Sequence, residues 1–316
     1  DYTMERVVEV ARKLREDHDF RGYIHLKTIP EASQDLIDQA GEYADRISIN
    51  VELPKQESLD KLAPEKNIER TQKAMGGIRY RIEENKERRK SRAPEIRKER
   101  PFSPAGQSTQ MIVGADGAKD QDILQRSTRL YDSYRLRRVY YSAFSPIPDA
   151  SPVLPLSAPP LIREHRLYQA DWLMRFYQFS VEEIVPADTP DLDLEIDPKL
   201  AWALRNRHRF PIDLNKASRS ELLRIPGIGT KTVARLLKIR RYADIRLLDL
   251  KKLRVSIKKV LPFIITADHH SARSGLDSDR LRASLVDRPA SKQLDLFSDA
   301  TVQLRTAKTA AISGQL

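Results

Sequence analysis

Leu214-Asn-Lys-Ala-Ser-Arg-Ser-Glu-Leu-Leu-Arg-Ile-Pro-Gly-Ile-Gly-Thr-Lys-Thr-Val-Ala-Arg-Leu-Leu-Lys-Ile-Arg240 reads as two short helices folded back on one another. Ser218 and Glu221 have capping-box spacing, in which each side chain accepts from the other residue's amide. Pro226-Gly227-Ile228-Gly229 then imposes a tight hairpin, because Gly accepts φ > 0 and lets a second backbone come close. The second helix opens at Thr230 or Lys231, and its first amides have no partner within the helix. Such amides, at the positive end of the helix dipole, suit an anion. Lys231 and Arg235 add charge on the same flank. Leu222, Leu223, Ile225, Val233, Leu236 and Leu237 form a core whatever the hairpin binds.

The stretch resembles the helix-hairpin-helix DNA-binding motif in its core, Leu-Leu-x-Ile-Pro-Gly-Ile-Gly-x-Lys-Thr. The resemblance implies that Pro226, Gly227, Ile228, Gly229, Thr230, Lys231, Thr232 and Arg235 meet the DNA phosphate backbone rather than bases, so affinity carries no sequence readout. Residues 243–264 resemble the degenerate second half of a tandem helix-hairpin-helix domain, with Arg254 where such hairpins often carry Gly. The expected unit is an all-α tandem domain over residues 209–266. Asp249 lies near where helix-hairpin-helix DNA glycosylases keep a catalytic Asp, but within Leu-Asp-Leu-Lys-Lys-Leu it reads as a helix cap.

Ahead of this module, strands alternate with helices. Residues 23–27, 47–51, 110–114 and 138–144 read as short strands. Helices are expected over 1–16, after a cap at Ser33, and over 120–134. The alternation argues for a parallel sheet of βα units, about half of a closed barrel. The fold class expected is therefore an α/β partial TIM-type barrel, then the all-α domain, then a disordered tail. Residues 79–100 are dense in Arg and Lys with interspersed Glu, which reads as a solvated helix or as an electropositive arm for phosphates. Residues 1–150 are assigned to the barrel part. Residues 151–208 form a connector and helical segment, Pro-rich where it begins. There a helix around 164–179 spaces Trp172, Phe176 and Tyr177 as core ahead of base stacking. Residues 267–316, poor in aromatics and rich in Ser, Ala, Arg and Asp, are read as disordered.

The chain's 316 residues leave room for about two domains. It carries 56 Lys and Arg against 45 Asp and Glu, a formal charge of +11 that suggests a polyanionic partner. It has no Cys, which excludes disulfides, thiol nucleophiles and Cys-ligated metal within the chain. No apolar run of about 18 residues exists for a membrane helix, no signal peptide opens the chain, and a cytoplasmic location is expected. The six His lack zinc-helix spacing, so no metal site is expected. The chain opens at Asp1 directly into an amphipathic helix, which reads as the C-terminal part of a longer protein.

Three further phrases, Tyr140-Tyr-Ser-Ala-Phe-Ser-Pro-Ile-Pro-Asp149, Arg163-Glu-His-Arg-Leu-Tyr-Gln-Ala-Asp-Trp-Leu173 and Asp197-Pro-Lys-Leu-Ala-Trp202, resemble the DNA modification/repair radical SAM protein family over residues 1–265. The resemblance implies an S-adenosylmethionine site, a [4Fe–4S] cluster on a Cys-x3-Cys-x2-Cys loop, and a uracil-DNA-glycosylase-like partner. With no Cys, this chain lacks the cluster ligands, so radical chemistry is expected only of an intact family protein. Strand C-terminal ends gather ligands in such barrels, which picks Lys27, Asn50, Glu52, Gly114 and Asp116 as cofactor-binding, with Ser142 and Ser145 nearby. Gln107 opens a strand resembling the one that lies against the adenine. Gln293-Leu294-Asp295-Leu296-Phe297 resembles the bacterial sliding-clamp-binding pentapeptide, with Gln293, Leu294, Leu296 and Phe297 as partner-binding residues. Three functions follow: a DNA-binding part of a radical SAM protein, a non-catalytic DNA-binding adaptor recruited to the clamp, and a glycosylase working through Asp249.

Overall fold

The computed structural model describes residues 2–90, 100–146, 153–271, 273–276 and 280–286. The chain divides into two units, Asp1–Glu164 and His165–Leu316, each considered by itself.

In the first unit the helices are α1 (Tyr2–Glu16), α2 (Gln34–Tyr43), α3 (Gln56–Leu62), α4 (Ile68–Lys90) and α5 (Asp120–Tyr134), followed by the start of α6 (Leu161–Tyr177). The strands are β1 (His25–Lys27), β2 (Arg46–Ser48), β3 (Gln107–Val113) and β4 (Arg138–Ala143). They form one parallel sheet in the order β1-β2-β3-β4, so each strand lies beside its predecessor, and the expected alternation is observed. The sheet is open among the described residues. Helix α2 starts at the expected cap, the Ser33 hydroxyl accepting from the Leu36 amide at 3.4 Å.

The register separates two unlike sheet faces. Leu26 pairs with Ile47, Thr109 with Val139 and Met111 with Tyr141, all buried beneath helices. Tyr141 reaches the Ser127 hydroxyl of α5 at 2.9 Å, which fixes this as the helix-covered side. The opposite side aligns His25 with Arg46, Lys27 with Ser48, Ser48 with Ser108, Ser108 with Arg138, and Gln110 with Tyr140. Parallel sheets are ordinarily apolar on both faces, so this polar face is a departure that stability alone does not explain.

The charged excursion between β2 and β3 begins earlier than its composition suggests. Helix α4 buries Thr71, Met75, Ile78 and Ile82 at helical spacing before its surface turns charged. Several of its cations are paired: Arg79 with Glu83, Arg81 with Asp38 and Glu84, and Lys90 with Glu87. That is the solvated-helix arrangement. Residues 91–99 of the expected arm lie outside the described residues.

The second unit carries the rest of α6, then α7 (Val181–Ile184), α8 (Pro198–Arg205), α9 (Arg219–Arg224), α10 (Thr230–Ile239), α11 (Leu247–Lys252), α12 (Ile257–Val260), α13 (Arg273–Leu276) and α14 (Arg280–Leu285). Two findings correct the expected all-α domain and its limits. A three-stranded sheet is present, β5 (Ile212–Asp213), β6 (Ile264–Thr266) and β7 (His269–His270), with β5 parallel and β7 antiparallel to β6. Its strands have two or three residues, too few for an alternating pattern to show. Structure also continues past residue 266. Asp268 accepts from the Leu247 amide at 2.9 Å and from the Thr266 hydroxyl at 2.8 Å. Leu276, Leu281 and Leu285 are buried, and Arg282 pairs with Asp193 and Glu195.

The connector expected as a separate piece over residues 151–208 is divided instead at Glu164. Beyond that point the chain packs onto the hairpin module. Arg224 donates to the Tyr177 carbonyl at 2.9 Å and the Gln178 carbonyl at 3.0 Å, meets both Glu183 carboxylate oxygens at 2.9 Å, and lies over the Phe179 ring at 3.8 Å.

Candidate nucleic-acid interface

Helices α9 and α10 with the turn 225–229 form the first hairpin. The capping box is made as its spacing implies: the Ser218 hydroxyl accepts from the Glu221 amide at 3.2 Å, and the Glu221 carboxylate accepts from the Ser218 amide at 2.7 Å. That exchange holds the Glu221 carboxyl below its ordinary range. Leu222, Leu223, Ile225, Ile228, Val233 and Leu236 are at most 1% exposed, so the hairpin is held by its apolar side while Gly227, Lys231 and Arg235 face out.

Gly227 has φ +77°, the left-handed region that favours glycine. A Cβ there would lie 3.1 Å from Val260 and 3.5 Å from Lys259, so the turn packs directly against α12. The second hairpin, α11 and α12, repeats the pattern with Arg254 at φ +60° in the place of Gly227. Its core is Leu250, Val255 and Val260. Asp249 accepts from the Arg246 amide at 3.0 Å, so its carboxylate caps α11, as its local sequence implies.

Charge concentrates on this module. Residues 214–260 hold 14 Lys and Arg against 3 Asp and Glu, a surplus of 11 that equals the formal charge of the whole chain. Lys231, Arg235, Lys238, Lys251, Arg254 and Lys258 are exposed. Lys231 and Arg235 have no ionic or hydrogen-bonding partner among the described residues. The Ile228 amide is used within the turn, donating to the Ile225 carbonyl at 3.2 Å. The Thr230 amide donates to the Tyr177 hydroxyl, which also takes a hydrogen bond from Trp172. Among the described residues, the amides of Gly229, Lys231 and Thr232 have no partner. Of the expected contact set, Pro226 and Ile228 are buried and shape the turn; the outward groups are Gly227, Gly229, Lys231, Thr232 and Arg235.

Sequence reasoning did not single out Arg224, and it placed Lys199 only within the phrase Asp197–Trp202. The Lys199 ammonium is buried beneath the turn and donates to the Ile228 carbonyl at 2.6 Å. It lies 4.7 Å from the centre of the Tyr177 ring. Tyr177 is therefore neither simple core nor a base-stacking platform, because its hydroxyl sits at the start of α10. The available signal was a lysine set among apolar residues in Pro-Lys-Leu-Ala-Trp202.

The cofactor-binding residues expected in the first unit are only partly brought together. Lys27 approaches Glu52 at 3.7 Å, and Asn50 donates to Gln110 at 3.4 Å on the polar face. Glu52 takes a left-handed φ of +62° and bridges to Met111. Gln107 is elsewhere: it opens β3 on the helix-covered side, where its side-chain amide donates to the Met75 carbonyl at 3.1 Å and the Tyr134 carbonyl at 2.7 Å. It is a clamp between α4 and α5, not part of that group. The close approach at Gly114, whose φ is +80°, is made by Pro159: a Cβ would lie 2.7 Å from its ring. Asp116 borders a cleft of about 310 Å³ with Glu57, Ser58 and Lys61; one carboxylate oxygen accepts from the Ala118 amide, and the other is buried without a partner among the described residues. Ser142 lies partly exposed on the polar face and Ser145 is exposed beyond it.

Gln293, Leu294, Leu296 and Phe297 lie outside the described residues. Among the described residues, no group of acidic or His side chains has the arrangement to hold a metal ion, and no helix is long and apolar enough to cross a membrane. No protein-family model matches the chain, and no curated protein and no solved structure shows significant similarity to it.

Proposed function

We propose that the second unit binds the phosphate backbone of duplex DNA, without reading bases, through the hairpin α9–turn–α10 acting as a helix-hairpin-helix. The observation that carries this reading is a single corner that, among the described residues, holds unpartnered amides at Gly229, Lys231 and Thr232 beside two unpartnered cations, on a segment whose charge surplus equals that of the chain. Backbone amides and Lys or Arg are the groups that meet phosphate, and neither distinguishes one base pair from another. The second hairpin, with Arg254 in its turn, supports the first. Anisotropy titration of labelled duplexes of unrelated sequence is the test. Similar affinities are expected for all of them; no binding at low salt ends the reading.

For the first unit we propose a second, narrower role: the polar face around Lys27, Asn50 and Glu52 holds a small polar ligand. The family resemblance offers S-adenosylmethionine. The polar side of the sheet suits such a ligand, and Asn50 with Glu52 would take its hydroxyl or amino groups. A [4Fe–4S] cluster does not fit, since the chain has no Cys, and no radical step is assigned to it. Equilibrium dialysis against S-adenosylmethionine should show binding that Asn50→Leu abolishes. Retention of the ligand by that variant would place the site elsewhere.

A further inference from the structure

We propose that Lys199 is a positioning residue for DNA binding: by holding the Ile228 carbonyl inward, it turns the Gly229 amide outward toward the phosphate. This rests on the reading of the hairpin given above.

A trans peptide unit is planar, with its C=O and N–H pointing in opposite directions. The Ile228 carbonyl and the Gly229 amide belong to one such unit. The carbonyl is directed to the buried Lys199 ammonium at 2.6 Å. The amide must then point away from that interior, and it has no partner among the described residues. A peptide followed by glycine turns over easily, because glycine lacks the Cβ that penalises the rotated backbone. The lysine therefore removes a freedom that the Gly229 position would otherwise retain. Tyr177 completes the brace, its ring beneath the ammonium and its hydroxyl on the neighbouring Thr230 amide.

The charges facing Lys199 are few. Asp197 precedes it as the cap of α8, Arg224 approaches from α9 with Glu183 paired to it, and Tyr177 comes from α6. Burial lowers the Lys199 pKa to about 7, with Asp197 opposing the shift and Arg224 adding to it. A phosphate one peptide away favours the ammonium, so the bound state has the higher pKa. The resulting gain in affinity is complete below the free-state value and is lost as pH rises through about 7 toward the bound-state value.

The test is anisotropy titration of a labelled duplex at fixed ionic strength from about pH 6 to 9, for the wild type, Lys199→Met and Lys199→Gln. The wild type should lose about threefold to tenfold in affinity across that range. Lys199→Met should bind about tenfold more weakly at low pH and show no slope from this group. Lys199→Gln keeps an N–H for the Ile228 carbonyl, so it should retain more affinity than Met while also lacking the slope. Thermal melting checks that the variants fold. A folded variant that keeps the wild-type slope overturns the proposal, as does a wild type that binds with a flat profile. If neither variant folds, calorimetry of the wild type at about pH 7 in buffers of unlike ionisation enthalpy decides: proton uptake on binding supports the proposal and none overturns it. A wild type that binds no duplex removes the hairpin reading itself, and this inference with it.

Discussion

Replacing Lys231 and Arg235 together by Ala should weaken duplex binding by about tenfold at moderate salt, and should make the dependence on salt shallower. The two residues are four apart on α10, so they share one face of the helix. Both are exposed and have no partner among the described residues, so their loss leaves the fold intact. Each phosphate neutralised releases condensed counterions and adds about 0.9 to the slope of log affinity against log salt. If both meet phosphate, that slope falls by nearly two in the double variant. Titrations at several salt concentrations measure it directly. A weaker variant with an unchanged slope would mean that the two cations act through something other than phosphate contact.

The largest effect on stability should come from Arg224→Met. The guanidinium satisfies two carbonyls, pairs with both oxygens of Glu183, and stacks over Phe179. Its side chain is 15% exposed and that of Glu183 30%, so solvent replaces these bonds poorly. Methionine fills much of the volume but leaves the carbonyls and the carboxylate without a partner. Breaking such a network from one side costs about 3 kcal/mol. Denaturant unfolding followed by the fluorescence of Trp202, itself 5.5 Å from the guanidinium, reports on this site. An unfolding midpoint equal to that of the wild type would show that the network contributes little.

The hairpin was legible because its determinants are local. A capping box, a Pro-Gly-Ile-Gly turn and apolar residues at helical spacing each act within a few residues, and each is found where the chain implies it. The parallel order of β1 to β4 was legible for a related reason: Ile47, Met111 and Val139 lie in short strand-like segments separated by amphipathic helices. What could not be read depends on partners distant in the chain. Lys199 meets Ile228, and Gln107 meets Met75 and Tyr134, only after folding. Nothing near Gln107 distinguishes a clamp from a ligand contact. Gly114 stands at a strand end of the kind that gathers ligands, and its space is taken by Pro159 from a later segment. The polar side of the sheet emerges only once the register is known, because Ser48, Ser108, Gln110 and Tyr140 sit in different strands and share a face only after pairing.

The sheet that closes the hairpin module joins chain segments made at different times. Strand β5 waits for β6, roughly fifty residues downstream, and α11 is anchored by Asp268, which follows β6. During synthesis, both hairpins emerge before the strand and carboxylate that tie their ends together. The pairing of β5 and the bond on the Leu247 amide therefore form only after the ribosome has passed that aspartate, and a nascent chain stalled earlier holds the pieces of the module without its clasp.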